Sequence, residues 1–99
     1  MTIYLRGGPD RGEPEWSRYV LVEDDGEILV PAVRADWREH YVYVKAKQAG
    51  AKLKFQQAAT GKDRKMHLWV SLEWVKREYP EQKEGWEREE AKIRRKTRQ

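Results

Sequence analysis

Few of the residues that do chemistry are spaced to do it in this chain. His40 and His67 are its two histidines, and neither has the ligand-spaced or base-orienting partners that a metal site or a general base requires. The adjacent Asp24 and Asp25 could hold a cation, but an Asp-Asp-Gly step between two apolar runs reads first as a turn. Gly7, Gly8 and Gly12 lack the strand, spacing and following helix of a phosphate loop. There is no cysteine, which excludes disulfides, thiolate nucleophiles and cysteine-ligated zinc. The expectation is a protein that is not an enzyme and holds no metal or cofactor.

The chemistry that remains is recognition. Residues 41–57 read YVYVKAKQAGAKLKFQQ, two alternating runs about a small turn. Paired as a hairpin about Ala49-Gly50, they set Val44 opposite Phe55, Ala46 opposite Leu53 and Tyr43 opposite Gln56. The same register opposes Lys45 to Lys54 and Lys47 to Lys52, and a slip by one residue would bring lysines against the core valines. The run MHLWVSLEW from Met66 alternates again, and matching its apolar parity puts Trp69 beside Lys54 and His67 beside Gln56.

The meander so formed has a core face of Val42, Val44, Ala46, Leu53, Phe55, Leu68 and Val70. Its second face carries Tyr41, Tyr43, Lys45, Lys47, Lys52, Lys54, His67 and Trp69. Flat rings interleaved with ammonium groups suit single-stranded nucleic acid, because bases stack on them for about 1–3 kcal/mol each while lysines follow the phosphates. Arg94, Arg95, Lys96 and Arg98 at the basic end would add phosphate contacts. The competing reading is a structural face, solvated or covered by another element, since opposed lysines cost at most about 1 kcal/mol when exposed.

The elements that would position these residues follow from pattern. The run TIYL is a short strand, and 9–14 is turn-rich. WSRYVLVE, the turn at Asp24-Asp25-Gly26 and EILVPAV form a hairpin, with Pro31 marking an edge or a bend. Residues 34–39 read as a helical turn or a loop, and 60–65 as a polar loop. Leu68, Leu72, Val75 and Tyr79 also fit a helical stripe, a rival reading in which strand gives way to helix near Leu72, so 72–79 stand open between strand and helix. Residues 81–99 have a helical composition with acidic residues early and basic ones late; with only Trp86 and Ile93 for apolar contact and Gly85 in the first turn, a mostly solvated helix is expected, docked at most by Trp86 and frayed at its basic end. The fold class is α+β: mostly antiparallel strands, as a sheet or a small open barrel, in a β-rich domain over 1–79, with a charged helix and basic tail over 80–99.

Ninety-nine residues support one modest core, and five Trp and five Tyr concentrate its apolar area although charged and hydrophobic residues are each 38%. Residues 1–40 hold five basic and nine acidic groups, 41–80 nine and three, 81–99 seven and five, giving −4, +6 and +2. Either the second part has an acidic partner or the two parts attract each other. The opening apolar run is too short for a signal peptide and no stretch is long enough to span a membrane, so a cytoplasmic protein without membrane contact is expected.

The stretch Leu5-Arg6-Gly7-Gly8-Pro9-Asp10-Arg11-Gly12-Glu13 resembles the Gly-Gly-Pro-x-Asp-Gly opening of small proteins encoded by tailed bacteriophages and prophages. Asp10 and Arg11 stand in swapped order relative to that pattern. The resemblance implies a phage accessory protein that binds nucleic acid or a host protein. In the second case the contacts would come from the acidic first half (Glu13, Glu15, Glu23, Asp24, Asp25, Glu27) or from Trp16 and Trp37, inhibiting a host polymerase or defence complex.

Overall fold

The computed structural model describes residues 1–5, 14–58 and 64–97. The glycine-rich turn behind the phage resemblance, most of the 60–65 loop and Arg98 lie outside those residues. Among the described residues five strands, β1 (Thr2–Tyr4), β2 (Tyr19–Val22), β3 (Ile28–Pro31), β4 (Leu53–Gln57) and β5 (Met66–Ser71), form one antiparallel sheet in the order β1-β2-β3-β5-β4. Four helices among the described residues, α1 (Ala32–Ala35), α2 (Glu39–Gln48), α3 (Leu72–Glu78) and α4 (Lys83–Thr97), complete an α+β fold with an open sheet and a C-terminal helix.

The β2-β3 hairpin forms where the Asp-Asp-Gly step sits. Gly26 takes φ +88°, and the Asp25 carboxylate accepts from the Glu27 amide at 2.9 Å, closing the turn. Pro31 ends a central strand rather than lying on an edge. Its register partner is Trp69, and its backbone (φ −59°, ψ 129°) bends the chain into α1, so the missing N–H falls where the ladder stops.

Residues 41–48 are helix, not the first strand of a meander, and this is the main correction to the sequence pattern. Val42 and Ala46 are buried one turn apart, and Glu39 opens and Lys45 and Lys47 close the helix as its dipole favours. The Ala49-Gly50 step that reads as a hairpin turn is a helix stop. Gly50 takes φ +71°, its amide donates to Lys47 at 3.1 Å, and the Ala51 amide reaches back to Ala46 at 3.0 Å, the paired bonds of a Schellman cap. Positive-φ glycine serves both structures, so the alternation alone could not distinguish them. The opposed lysine pairs therefore do not exist. Of the expected core face, Val42, Ala46, Leu68 and Val70 are buried and Leu53 half-buried, whereas Val44 and Phe55 are exposed.

The core lies between the sheet and the helices. Ile3, Val20, Val22, Ile28, Val30, Leu68 and Val70 meet Val42, Ala46, Leu72, Val75, Trp86 and Ile93. β5 runs directly into α3, where Ser71 Oγ accepts from the Trp74 amide at 3.4 Å, so of the two readings of 72–79 the helical one holds, with the switch at Leu72. In α4, Trp86 and Ile93 are the buried residues. The Trp86 indole N–H donates to Gln82 at 3.0 Å and Arg34 covers its ring at 5.0 Å, while Lys76 bridges α3 to Glu90 of α4 at 2.8 Å. Among the described residues no helix is long and apolar enough to cross a membrane.

Because Trp86 carries much of the apolar contact of α4, Trp86→Ala should lower the unfolding free energy by about 3–5 kcal/mol in urea titration. Arg95→Ala, on the exposed side of the same helix, should change it by no more than about 0.5 kcal/mol.

Candidate functional site

The structure distributes the expected Tyr, Lys and Trp face over three places. Lys54, Gln56, His67 and Trp69 do share a sheet face, in the expected register of Lys54 with Trp69 and Gln56 with His67. That face is not a stacking platform. Trp69 is 0% exposed, packed with Leu21, Leu29 and Ala58 beneath the edge of Trp16 (6.0 Å, 73°), and its indole N–H donates to the Gln56 carbonyl at 3.0 Å. His67 stacks on the Trp16 ring at 3.5 Å. A short 3-10 segment, Glu15–Arg18, brings Trp16 over the sheet, and the Ser17 hydroxyl donates to the Pro14 carbonyl at 2.7 Å to hold it. These rings stabilise one another.

Lys52 and Lys54 face the acidic hairpin rather than other lysines. Each lies 3.5 Å from a Glu23 carboxylate oxygen, and Lys52 is 3.7 Å from Asp25, so part of the charge asymmetry is answered within the chain. The Asp25 carboxyl is held below its ordinary value first by the Glu27 amide, with Lys52 adding to the effect. Asp24 is exposed and Glu27 half-buried at the same turn. At the basic end, Arg94 donates to the Gly26 carbonyl at 2.9 Å and approaches Glu90 at 3.4 Å, and Lys96 donates to the Tyr4 carbonyl at 2.7 Å; Arg95 is exposed.

Tyr41, Tyr43, Lys45 and Lys47 sit together on α2. The Arg38 guanidinium lies 4.2 Å from the Tyr41 ring centre and Lys45 5.8 Å, while Lys47 lies 5.4 Å from the Tyr43 ring and donates to its hydroxyl at 3.2 Å. Tyr43 also meets Phe55 of β4 at 5.7 Å and His40 at 6.5 Å. Phe55 is 54% exposed, and Met66, Val44 and Tyr41 are exposed on the neighbouring elements. Phe55, Val44 and Met66 are the residues that pattern reading misses, since it assigns the first two to the core and the third to its parity. One signal was present: Phe55 precedes two glutamines, as expected of a strand with little to cover it.

β4 is also an edge strand. The Ser71 amide donates to the Lys52 carbonyl at 3.0 Å, so alternation along the antiparallel ladder points the amides and carbonyls of Lys54 and Gln56 toward β5 and those of Leu53, Phe55 and Gln57 away from the sheet. An apolar ring and a row of outward backbone groups thus occupy one place. β5 lacks a β3 partner at Leu68 because Pro31 has turned the chain, and the Glu39 carboxylate accepts from the Leu68 amide at 3.3 Å instead. That contact seats α2 beside β4.

Near the start of α2, Asp36 accepts from Arg38 Nη2 at 2.7 Å and Nε at 3.1 Å and from the Tyr79 hydroxyl at 3.4 Å. The Arg38 hydrogen bonds hold the Asp36 carboxyl down to about 2, and burial, with Asp36 nearby, pushes the Tyr79 hydroxyl up to about 12. Between them Trp37 is 82% exposed at the rim of an open groove lined by Arg34, Arg38, Tyr79 and Gln82. Among the described residues no group of three or more His, Asp or Glu could hold a metal ion.

Acrylamide should quench a solvent-exposed tryptophan component that disappears in Trp37→Phe, leaving emission that resists quenching. Survival of the quenchable component in that variant would show a different exposed ring. A depressed Asp36 contributes stability above its unfolded value of 3.8, and this stability is lost as the pH falls toward 2. Asp36→Asn should flatten the acid limb of a thermal-stability profile in that window. No protein-family model, curated protein or solved structure matches the chain.

Proposed function

We propose that this protein acts by binding another protein, through the surface that α2 and the edge strand β4 form together. The observation that carries this reading is Phe55, a half-exposed phenylalanine beside Tyr43 on the strand that, among the described residues, ends the sheet. Aromatic side chains that are already held by neighbours lose little freedom on binding, which makes them efficient anchors, and apolar area returns roughly 25 cal/mol per Å² when covered. With the resemblance of its opening turn, the reading becomes a phage accessory protein occupying a host complex. A chain without cysteine is suited to the cytoplasm.

Nucleic acid is the second reading, favoured by α2 itself. Its solvent side carries His40, Tyr41, Lys45 and Lys47 and no acidic residue, because Glu39 is turned toward Leu68. Binding of that kind would weaken steeply with salt and depend on Lys45 and Lys47.

The two readings separate in one experiment. The tagged protein and its Phe55→Glu variant, both checked for native circular dichroism, are used to capture proteins from nuclease-treated host lysate. The expected result is one stoichiometric protein retained by the native chain and lost with the variant. Equal recovery by both chains would overturn the protein-binding reading, and recovery seen only from a parallel lysate without nuclease would favour nucleic acid.

A further inference from the structure

Resting on the protein-binding reading of the α2 and β4 surface, we infer that its occupant is an extended, acidic segment of the partner, added to β4 as a sixth strand of the sheet. Three observations converge on this.

The first is the asymmetry of the two sheet edges. Met1 and Val22 exchange backbone hydrogen bonds at 2.7 Å and the Leu5 amide donates to Arg18 at 2.8 Å, so alternation turns Thr2 and Tyr4 of β1 outward. The outward Tyr4 carbonyl is taken by Lys96 of α4 at 2.7 Å. A short strand capped by a lysine is a guarded edge. On β4 the outward groups of Leu53, Phe55 and Gln57 belong to a longer strand, with Phe55 exposed beside them.

The second is the chemistry on either side of that edge. A strand laid along β4 sends alternate side chains to opposite faces. One set would meet Phe55 and Tyr43 and should be apolar. The other would meet Lys54 and Lys52, whose contacts with Glu23 and Asp25, at 3.5–3.7 Å, are long enough to admit a further carboxylate. Lys45 and Lys47, on the neighbouring helix, point their ammonium groups at tyrosine rings and pair with no carboxylate among the described residues.

The third is what this charge excludes. A second copy pairing antiparallel about Phe55 would place the two Lys54 side chains on a diagonal about 7–8 Å apart and bring both sets of α2 lysines to the same seam. Like charges there disfavour a homodimer and favour an acidic strand.

The test uses the full chain and capped synthetic peptides of about nine residues, long enough to span a strand. One alternates Glu with Val; one replaces each Glu by Lys; the third repeats the Glu peptide with methyl groups on alternate backbone nitrogens. Amide exchange is followed residue by residue by NMR. In the free protein Leu53, Phe55 and Gln57 should exchange fast while Lys54 and Gln56 exchange slowly. Saturating Glu peptide should slow the first three by at least about tenfold, an effect that weakens with salt. The Lys and N-methyl peptides should leave them unchanged. Equal protection by the Lys peptide would overturn the acidic requirement, and no protection by the Glu peptide, bound or not, would overturn strand addition. If capture from lysate is still lost with Phe55→Glu in that last case, the binding surface stands and the strand mode falls. If the Glu peptide protects these amides while capture ignores Phe55→Glu, the edge accepts a strand and the surface reading falls.

Discussion

Strand β5 must satisfy hydrogen bonds on both of its edges while Trp69 on one face and Leu68 and Val70 on the other are shut away from water. A strand placed this way cannot leave a backbone group unanswered without a cost of about 1–3 kcal/mol. β3 answers one edge as far as Pro31 and β4 answers the other. Where β3 turns away, the Glu39 carboxylate meets the Leu68 amide. The position of α2 follows from that last bond and from the burial of Val42 and Ala46.

Once α2 is seated there, the exposed chemistry is set. Tyr43 comes to rest on Phe55, and Lys45 and Lys47 project over the helix surface. β4 becomes the end of the sheet. At the opposite end, α4 reaches across to close the β1 edge with Lys96 and the hairpin carbonyl of Gly26 with Arg94. The basic tail therefore spends part of its charge on the chain's own backbone, and the basic strand residues spend theirs on the acidic hairpin.

Much of this was legible where a local rule has one physical answer. Asp25-Gly26 gave the hairpin, because the turn needs a positive φ. The pairing of Leu53, Phe55, Leu68 and Val70 followed from parity, and so did the neighbours Lys54 with Trp69. The segment 41–48 was not legible by the same means, since YVYVKAKQ satisfies a period of two on paper and buries an i, i+4 pair in fact. Whether Trp69 meets solvent or lies beneath another element is open in the sequence, because alternation marks which face a residue takes, not whether another element covers that face. The 3-10 segment bearing Trp16 supplies the cover.

By itself the sequence determined the class of the fold, the β2-β3 turn and the helical character of the segment after Pro80. Each rests on residues a few positions apart, whose backbone preferences and apolar spacing act locally. Tertiary structure alone decided whether Ala49-Gly50 would turn a hairpin or stop a helix, which lysines would find carboxylates, and that Phe55 rather than Trp69 would meet solvent. Those outcomes depend on which segments, far apart in the chain, come to cover the same surface.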